Sequence, residues 1–392
     1  MKVVLAYSGG LDTSICVKLL QEKYDCDVIT VTVDVGLSKD ELKVAEEKVI
    51  KLGVLKHKTI NAKEEFVQDY IFKAIKANAS YEGYPLSTAL ARPCIADKVV
   101  QLAKNEKADA LAHGATGKGN DQFRFESVFR ILAPQMKIIA PIRELNLTRL
   151  ESIEYANRND IPIPVNIDNP YSVDENIWGR SIEGGTLENP SETPPNEIYK
   201  WTKTKEKAIN IIEIEFKCGV PVAINGEIKS PADIIEKMNT LAGNHGIGRI
   251  DMIEDRILGI KARENYECPA AVTLLKAHEQ LEQLVLTRQE LKFKKIVEQE
   301  WSELVYKGLW FDPLRFALDA FIDETQKRIT GQVKVKLHQG SCMILERSSP
   351  FGLYSKSLAS FDDSTIDQRS VEGILYFHSL QSALFEIQKK KN

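Results

Sequence analysis

The sequence predicts an α/β fold, with an N-terminal parallel-sheet nucleotide-binding domain, an α+β second domain and a C-terminal helix. Three observations lead to this prediction. Short β-rich runs alternate with helix-period segments in the first part of the chain, both glycine-rich segments directly follow such a run, and the alternation stops after the prolines of residues 161–165. Strand–helix alternation places parallel strands under helices on both faces, with ligands beyond the carboxyl ends of the strands.

The elements of the first domain follow from the spacing of apolar residues. In the first predicted helix, Ile15, Leu19 and Leu20 fall on one side. Together the patterns predict strands at residues 3–7, 27–34, 58–61 and 108–113, and helices at residues 12–22, 40–52, 62–77 and 91–105.

The second half of the chain carries a different pattern. Alternation predicts strands at residues 209–217, 221–224, 331–337 and 341–347. Ser230 and Pro231 open a helix at residues 230–242, as N-cap and first helical residue, and a long helical region spans residues 269–307. A last helix at residues 378–390 carries an apolar stripe that could cover its own domain or another subunit: Leu380, Ala383, Leu384 and Ile387. We therefore predict domains at residues 1–165, 166–377 and 378–392.

Composition limits the class of protein. The 392 residues, 43% hydrophobic and 28% charged, are typical of a soluble globular protein of two or more domains. No apolar run approaches the roughly 20 residues that span a bilayer, so we expect a cytoplasmic protein without a membrane partner. The formal net charge of −4 argues against a nucleic-acid partner. The six cysteines are widely separated, so neither disulfides nor a zinc site are expected.

The first glycine-rich segment, Ser8-Gly9-Gly10-Leu11-Asp12-Thr13-Ser14, lies between a strand and a helix. Glycines allow close approach of the backbone, and a helix N-terminus with nearby hydroxyls is suited to phosphate. The alternative is a tight turn capped by serine or aspartate. Neither glycine-rich segment has the Walker pattern, because the first has no lysine and the second has the wrong spacing, and no dinucleotide signature follows the first strand.

Residues 8–14 resemble the pyrophosphate loop of the ATP pyrophosphatases, which cleave ATP between the α and β phosphates. That motif leaves several synthetases and tRNA-modifying enzymes open. A second segment, His113-Gly114-Ala115-Thr116-Gly117-Lys118-Gly119-Asn120-Asp121-Gln122-Phe123-Arg124-Phe125-Glu126, resembles the signature of the argininosuccinate synthase family. So do Ala91-Arg92-Pro93, Ser172-Val173-Asp174-Glu175-Asn176, Gly248-Arg249-Ile250-Asp251 and Tyr266-Glu267-Cys268-Pro269, in the family's order.

This resemblance implies a ligase of arginine biosynthesis that condenses citrulline with aspartate, using ATP and Mg²⁺, and yields argininosuccinate, AMP and pyrophosphate. It also implies a homotetramer. Several residues would bind ATP: Ala6, Tyr7, Ser8, Gly9, Gly10, Leu11, Asp12, Thr13, Ser14, Val33 and Gly114. Aspartate would contact Thr116, Asn120 and Asp121, and citrulline would contact Tyr84, Asn120, Arg124, Ser172, Ser181, Glu254 and Tyr266. No side chain is assigned as acid, base, nucleophile or metal ligand.

Each assignment has a plainer alternative. Asp121 and Arg124 could form a surface ion pair, the tyrosines could be packing aromatics, the two serines could cap loops, and Asp12 could cap the first helix. Ala89 stands where many family members have a serine. A tRNA-thiolating enzyme and a non-catalytic nucleotide-binding regulator are the rival functions. The absence of an obvious cysteine pair argues against the first, and the amino-acid-binding residues argue against the second.

Overall fold

The computed structural model describes residues 1–162, 170–362 and 365–390. The chain divides into two compact units, Met1–Phe351 and Gly352–Asn392. The predicted domain boundary at residue 165 and part of the proline-punctuated segment lie outside the described residues, so this boundary stays a prediction. No helix in the described ranges is long and apolar enough to cross a membrane.

A five-stranded parallel sheet forms the N-terminal part of the first unit, in the order β3-β2-β1-β4-β5. Alternate residues of β1 belong to different hydrophobic clusters, Val3 and Leu5 to one and Val4 and Ala6 to the other. Both faces of the sheet are therefore covered at β1, as predicted for a parallel sheet, whereas the edge strand β3 has no buried residue. The strands are β1 (Lys2–Ala6), β2 (Asp27–Asp34), β3 (Lys56–Asn61), β4 (Ala110–Ala112) and β5 (Lys137–Ile139).

The helices between these strands agree with the predicted ones to within a few residues. They are α1 (Leu11–Tyr24), α2 (Lys39–Lys51), α3 (Lys63–Phe66) continued through a π-turn (Val67–Ile71) into α4 (Phe72–Lys76), and α5 (Thr88–Asn105). The predictions did not include the helices that follow: α6 (Asp121–Leu132), α7 (Pro141–Glu144) and α8 (Arg149–Arg158). The omission of α6 matters most, because its first turn carries predicted site residues.

The rest of the first unit is built on two antiparallel sheets. A four-stranded sheet, ordered β11-β12-β7-β6, was not predicted because its strands are too polar to show clear alternation. Its strands are β6 (Ser172–Asn176), β7 (Gly179–Glu183), β11 (Arg249–Asp255) and β12 (Lys261–Glu267). The five-stranded sheet β10-β9-β8-β13-β14 contains the four predicted strands. Its strands are β8 (Asn210–Lys217), β9 (Val220–Ile224), β10 (Glu227–Ile228), β13 (Gly331–His338) and β14 (Ser341–Ser348).

Four further α-helices belong to the first unit: α9 (Pro231–Gly243), α10 (Pro269–Val285), α11 (Arg288–Tyr306) and α12 (Pro313–Gln326). The first two pack against strands of the five-stranded antiparallel sheet, whereas α11 and α12 pack on each other and on α5 and α4 of the N-terminal part. Ser230 caps α9 and Pro231 begins it, as predicted. The predicted long helical region is two helices, because Thr287 forms a capping box that starts α11 anew.

The second unit contains the short helices α13 (Lys356–Ala359), α14 (Glu372–His378) and α15 (Leu380–Lys389). The last predicted helix therefore begins at Leu380, and His378 ends a separate helix. Ala383, Leu384 and Ile387 of the apolar stripe are exposed within their unit.

Candidate active site

The loop after β1 leads into α1, whose N-terminus has no side-chain cap. The N-cap position is occupied by Gly10, which has no side chain to cap the helix, and Asp12 lies inside the first turn. Ser8 accepts a hydrogen bond from the backbone N–H of Gly10 at 3.4 Å, but this bond lies in the turn before the helix. Capping by Ser8 or Asp12 was therefore a wrong alternative. Because the first N–H groups of a helix have no intrahelical partner, this end of α1 is suited to binding an anion.

The hydroxyl groups of the loop differ in burial. Ser8 is exposed and Thr13 is half-buried, and their oxygens lie 3.1 Å apart. Ser14 is fully buried, and its hydroxyl lies 3.3 Å from that of Tyr7. The hydroxyls of Ser8 and Thr13 are thus accessible to a ligand, whereas Ser14 and Tyr7 contact each other inside the protein and stabilise the loop. Burial raises the pKa of Asp12, and the positive charge of Arg149 partly opposes this rise.

Two glycines allow the loop to pack closely against its neighbours. Gly9 has a φ of +77°, and a Cβ there would lie 2.9 Å from the Cβ of Ala45 on α2. A Cβ on Gly114 would lie 3.1 Å from Cγ2 of Thr13. The second glycine-rich segment therefore meets the first at the carboxyl ends of the paired strands β1 and β4, as the predicted topology requires.

Three other predicted ATP-binding residues have buried side chains. Ala6, Leu11 and Val33 are between 4% and 8% exposed and belong to the hydrophobic clusters beside the sheet. Any contact that they make with a nucleotide would therefore involve mainly the backbone.

The second segment forms a loop that ends at α6. Thr116 is exposed on this loop, and Asn120 is buried just before the helix. Gln122 was not predicted, but its amide donates to the carbonyls of Gly117 and Gly119, at 2.8 and 3.1 Å. This side chain therefore fixes the shape of the loop from within the helix that follows.

Asp121 accepts hydrogen bonds from two arginines. Nε of Arg92 lies 2.7 Å from one carboxylate oxygen, and Nη1 of Arg124 lies 3.2 Å from the other. Burial alone would raise the pKa of Asp121, but the two guanidinium groups outweigh it and lower the pKa. Arg124 is only 4% exposed. The alternative of a surface ion pair is therefore wrong for this arginine.

Arg92 also joins the second part of the chain to this cluster. Its Nη2 lies 2.9 Å from Asp174 on β6, whose same carboxylate oxygen accepts from the hydroxyl of Thr88 at 2.7 Å. Arg92 and Asp174 stand in motifs that resemble the family's, but neither was assigned a role. Their pairing holds α5, α6 and β6 together.

Tyr84, Tyr266 and Glu254 form one buried group. The two rings stack with centroids 4.2 Å apart, and the hydroxyl of Tyr266 donates to Glu254 at 2.7 Å. All three side chains are at most 4% exposed. The two tyrosines therefore pack as aromatics beside predicted binding residues, and their contact with citrulline stays a prediction.

Tyr306 connects this group with α6, and it was not among the predicted site residues. Its hydroxyl lies 2.9 Å from both Asn120 Nδ2, which donates to it, and Glu254 Oε1, which accepts from it. The guanidinium of Arg124 lies 5.2 Å from its ring, and Nε of Arg124 donates to its backbone carbonyl. In the sequence Tyr306 is indistinguishable from a core aromatic at the end of a helix.

The two predicted serines occupy different positions in the four-stranded sheet. Ser181 pairs with Tyr266 on β12 and with Asp174 on β6, so it adjoins the buried group. Ser172, at the start of β6, is exposed and pairs with Glu183. Ala89 is fully buried in α5, between the half-buried Thr88 and the core.

Comparison with known proteins places these residues in a family. Residues 2–162 match the family model "Arginosuccinate synthase N-terminal HUP domain", and residues 171–385 match "Arginosuccinate synthase C-terminal domain". Argininosuccinate synthase of Methanocaldococcus jannaschii is 64% identical over 99% of this chain and 98% of its own length. Those of Archaeoglobus fulgidus and Methanococcus maripaludis are 59% and 57% identical, each over 98% of this chain, and over 99% and 97% of their own lengths.

Proposed function

The chain belongs to the argininosuccinate synthase family, and we propose that it condenses citrulline with aspartate at the expense of ATP. It is an ATP-dependent C–N ligase of arginine biosynthesis, and its products are argininosuccinate, AMP and pyrophosphate. The observation that carries this proposal is the approach of Gly114 to Thr13, which brings the pyrophosphate loop next to the loop that leads to Asp121 and Arg124.

The reaction needs activation because a ureido carbon is a poor electrophile, into which the neighbouring nitrogens donate electrons. The ureido oxygen attacks the α phosphorus of ATP, the bond to pyrophosphate breaks, and the citrulline oxygen becomes part of an adenylate. The amine of aspartate then attacks the activated carbon, and AMP leaves with that oxygen. The uncapped N-terminus of α1, with Ser8 and Thr13, would stabilise the charge that develops on pyrophosphate.

The amino-acid substrates would bind in the buried cluster. Arg124 suits the carboxylate of citrulline, because a guanidinium binds a carboxylate through two parallel hydrogen bonds. Glu254, held by two tyrosine hydroxyls, suits an ammonium group or ureido N–H groups. Asp121 is kept ionised by its arginines and would bind the amine of aspartate, beside Thr116 and Asn120. These side chains orient two reactants, which fits catalysis by positioning.

Mg²⁺ is proposed as the companion of ATP. Within the described residues, no group of three or more His, Cys, Asp or Glu side chains is placed to hold a metal ion. The ion would therefore be held mainly by the phosphates, where it neutralises part of their charge.

A homotetramer is proposed from the family resemblance together with the second unit. That unit exposes a row of large apolar side chains, among them Ile374, Tyr376, Phe377, Leu384 and Phe385. Exposed apolar side chains in this number favour a protein–protein contact.

One assay tests the reaction. The protein is incubated with ATP, Mg²⁺, citrulline and aspartate, and each component is omitted in turn. AMP and argininosuccinate should form only when all are present. AMP formed without any amino acid would favour another pyrophosphate-releasing enzyme, and no turnover with the complete mixture would favour the regulator.

Isotope labelling tests the mechanism. With citrulline carrying ¹⁸O at the ureido oxygen, the label should appear in AMP. Unlabelled AMP would refute the adenylate.

Site variants test the residue roles. Asp121→Asn should mainly raise KM for aspartate, and Arg124→Ala mainly KM for citrulline. Arg130→Ala is the matched control, because this arginine lies on the same helix with its side chain 69% exposed. Equal, small effects of the two site variants on both substrates would contradict the assignment.

A further inference from the structure

Lys48 of α2 reaches the pyrophosphate loop from outside. Its ammonium donates to the carbonyl oxygen of Gly9 at 2.9 Å. The side chain is half-buried, and burial lowers its pKa. Lys48 was not among the predicted ATP-binding residues, but it contacts the loop that was predicted to bind ATP.

The position of Lys48 is fixed by the packing of α2. A capping box between Ser38 and Glu41 sets the start of the helix. One helical turn before Lys48, Ala45 fills the space that a Gly9 side chain would need. Residues three apart lie on the same helix face, so the contact that seats Ala45 against Gly9 also directs Lys48 at the loop.

Lys48 also lacks a counter-ion. In the described part of the chain no carboxylate oxygen lies within 4.0 Å of its Nζ, whereas Lys43 on the same helix pairs with Glu47 at 3.9 Å. A partly buried ammonium loses part of its hydration, and an opposite charge close by offsets that loss more fully than the single carbonyl of Gly9 does. An unpaired ammonium beside an uncapped helix N-terminus therefore points to an anionic ligand.

We propose that Lys48 is a further ATP-binding residue, which contacts the pyrophosphate portion of the nucleotide. This rests on the proposed function. In Walker loops a lysine within the loop supplies this charge, and here the loop itself has none, so α2 supplies it from a neighbouring element. The ammonium opposes the negative charge that develops on pyrophosphate as it leaves.

Equilibrium binding to the whole protein tests the proposal without turnover. Dissociation constants are measured for pyrophosphate, ATP and AMP with the wild type, Lys48→Met, Lys48→Arg and the exposed control Lys43→Met. Lys48→Met should weaken pyrophosphate and ATP by about 10- to 100-fold, the range for one charged hydrogen bond, and leave AMP nearly unchanged. Lys48→Arg should recover part of the loss, and Lys43→Met should match the wild type.

Two results would overturn the proposal. Equal weakening of AMP and pyrophosphate would mean that Lys48 only maintains the shape of the loop, and unchanged binding of pyrophosphate would mean that it does not contact this part of ATP. A wild type that binds pyrophosphate through Lys48 but makes no argininosuccinate would instead refute the proposed function and leave this inference standing.

Discussion

Glu267 offers a test of how the second part of the first unit is held together. Its carboxylate is fully buried and accepts five hydrogen bonds. They come from Nη1 of Arg180 at 2.8 Å, from the backbone N–H groups of Lys200, Trp201 and Thr202 at 3.0, 2.8 and 2.8 Å, and from the hydroxyl of Thr202 at 2.7 Å. Every contact is a donor, so only an ionised carboxylate can satisfy them all.

Glu267→Gln keeps the volume but removes this match. The new amide NH₂ must face at least one donor. Arg180, itself 2% exposed, keeps a hydrogen bond to the carbonyl of Ile198 at 2.7 Å, but among the described residues its remaining counter-ion is Glu175 at 3.2 Å. Breaking a buried ion pair by removing one partner costs about 3–5 kcal/mol. Leaving a buried donor without its hydrogen bond costs about 1–3 kcal/mol. This cost is already contained in that of the broken ion pair, so the two are not added. We therefore expect the free energy of unfolding to fall by about 3–5 kcal/mol.

Urea unfolding followed by tryptophan fluorescence measures this effect. Trp178, Trp201, Trp301 and Trp310 all lie in the first unit, so the signal reports that unit alone. The control is Glu303→Gln, which breaks an exposed pair with Lys307 and should cost under about 1 kcal/mol. If both variants lost the same small amount, the reasoning about the buried carboxylate would be refuted.

Three further predictions follow from individual contacts. Tyr306→Phe removes a hydroxyl that is hydrogen-bonded to Glu254, so KM for citrulline should rise about 5- to 10-fold while KM for ATP stays constant. Equal rises in both KM values would mean that the substitution distorts the site as a whole. The hydrogen bond from His113, together with two arginines, lowers the pKa of Glu126 in the folded protein to about 2. As the pH falls, this carboxylate is therefore protonated in the unfolded state before it is protonated in the folded state. The stability that Glu126 adds should therefore be fully present above about pH 4.5 and be lost as the pH falls to about 2. In Glu126→Gln the free energy of unfolding should depend less steeply on pH over this range, and equal slopes for variant and wild type would contradict the prediction. Deleting the residues after Phe377 should lower the mass measured by light scattering below that of a tetramer, and an unchanged mass would exclude α15 from the interface.

Much of the fold could be predicted from local patterns. The strands β1, β2 and β4 and helices α1, α2 and α5 were predicted because apolar periodicity is strong where both faces of a sheet are buried. The edge strand β3 has no buried residue, and its prediction began two residues late. The four-stranded sheet was missed because strands such as β12, Lys-Ala-Arg-Glu-Asn-Tyr-Glu, put charged residues at positions that tertiary contacts later bury. Its Glu267 is acceptable inside only because Arg180 and a distant backbone segment surround it.

The candidate site divides in the same way. By itself the sequence determined the loop of residues 8–14, since its glycines, its hydroxyls and the following helix are contiguous and their backbone requirements are local. Only the tertiary structure decided that Ser14 is buried while Ser8 is open, that Arg92 and Tyr306 contact predicted site residues, and that Lys48 donates to the loop. These three residues come from three helices far apart in the chain, and their roles depend on the charges and hydroxyls that folding brings beside them, which no spacing along the sequence encodes.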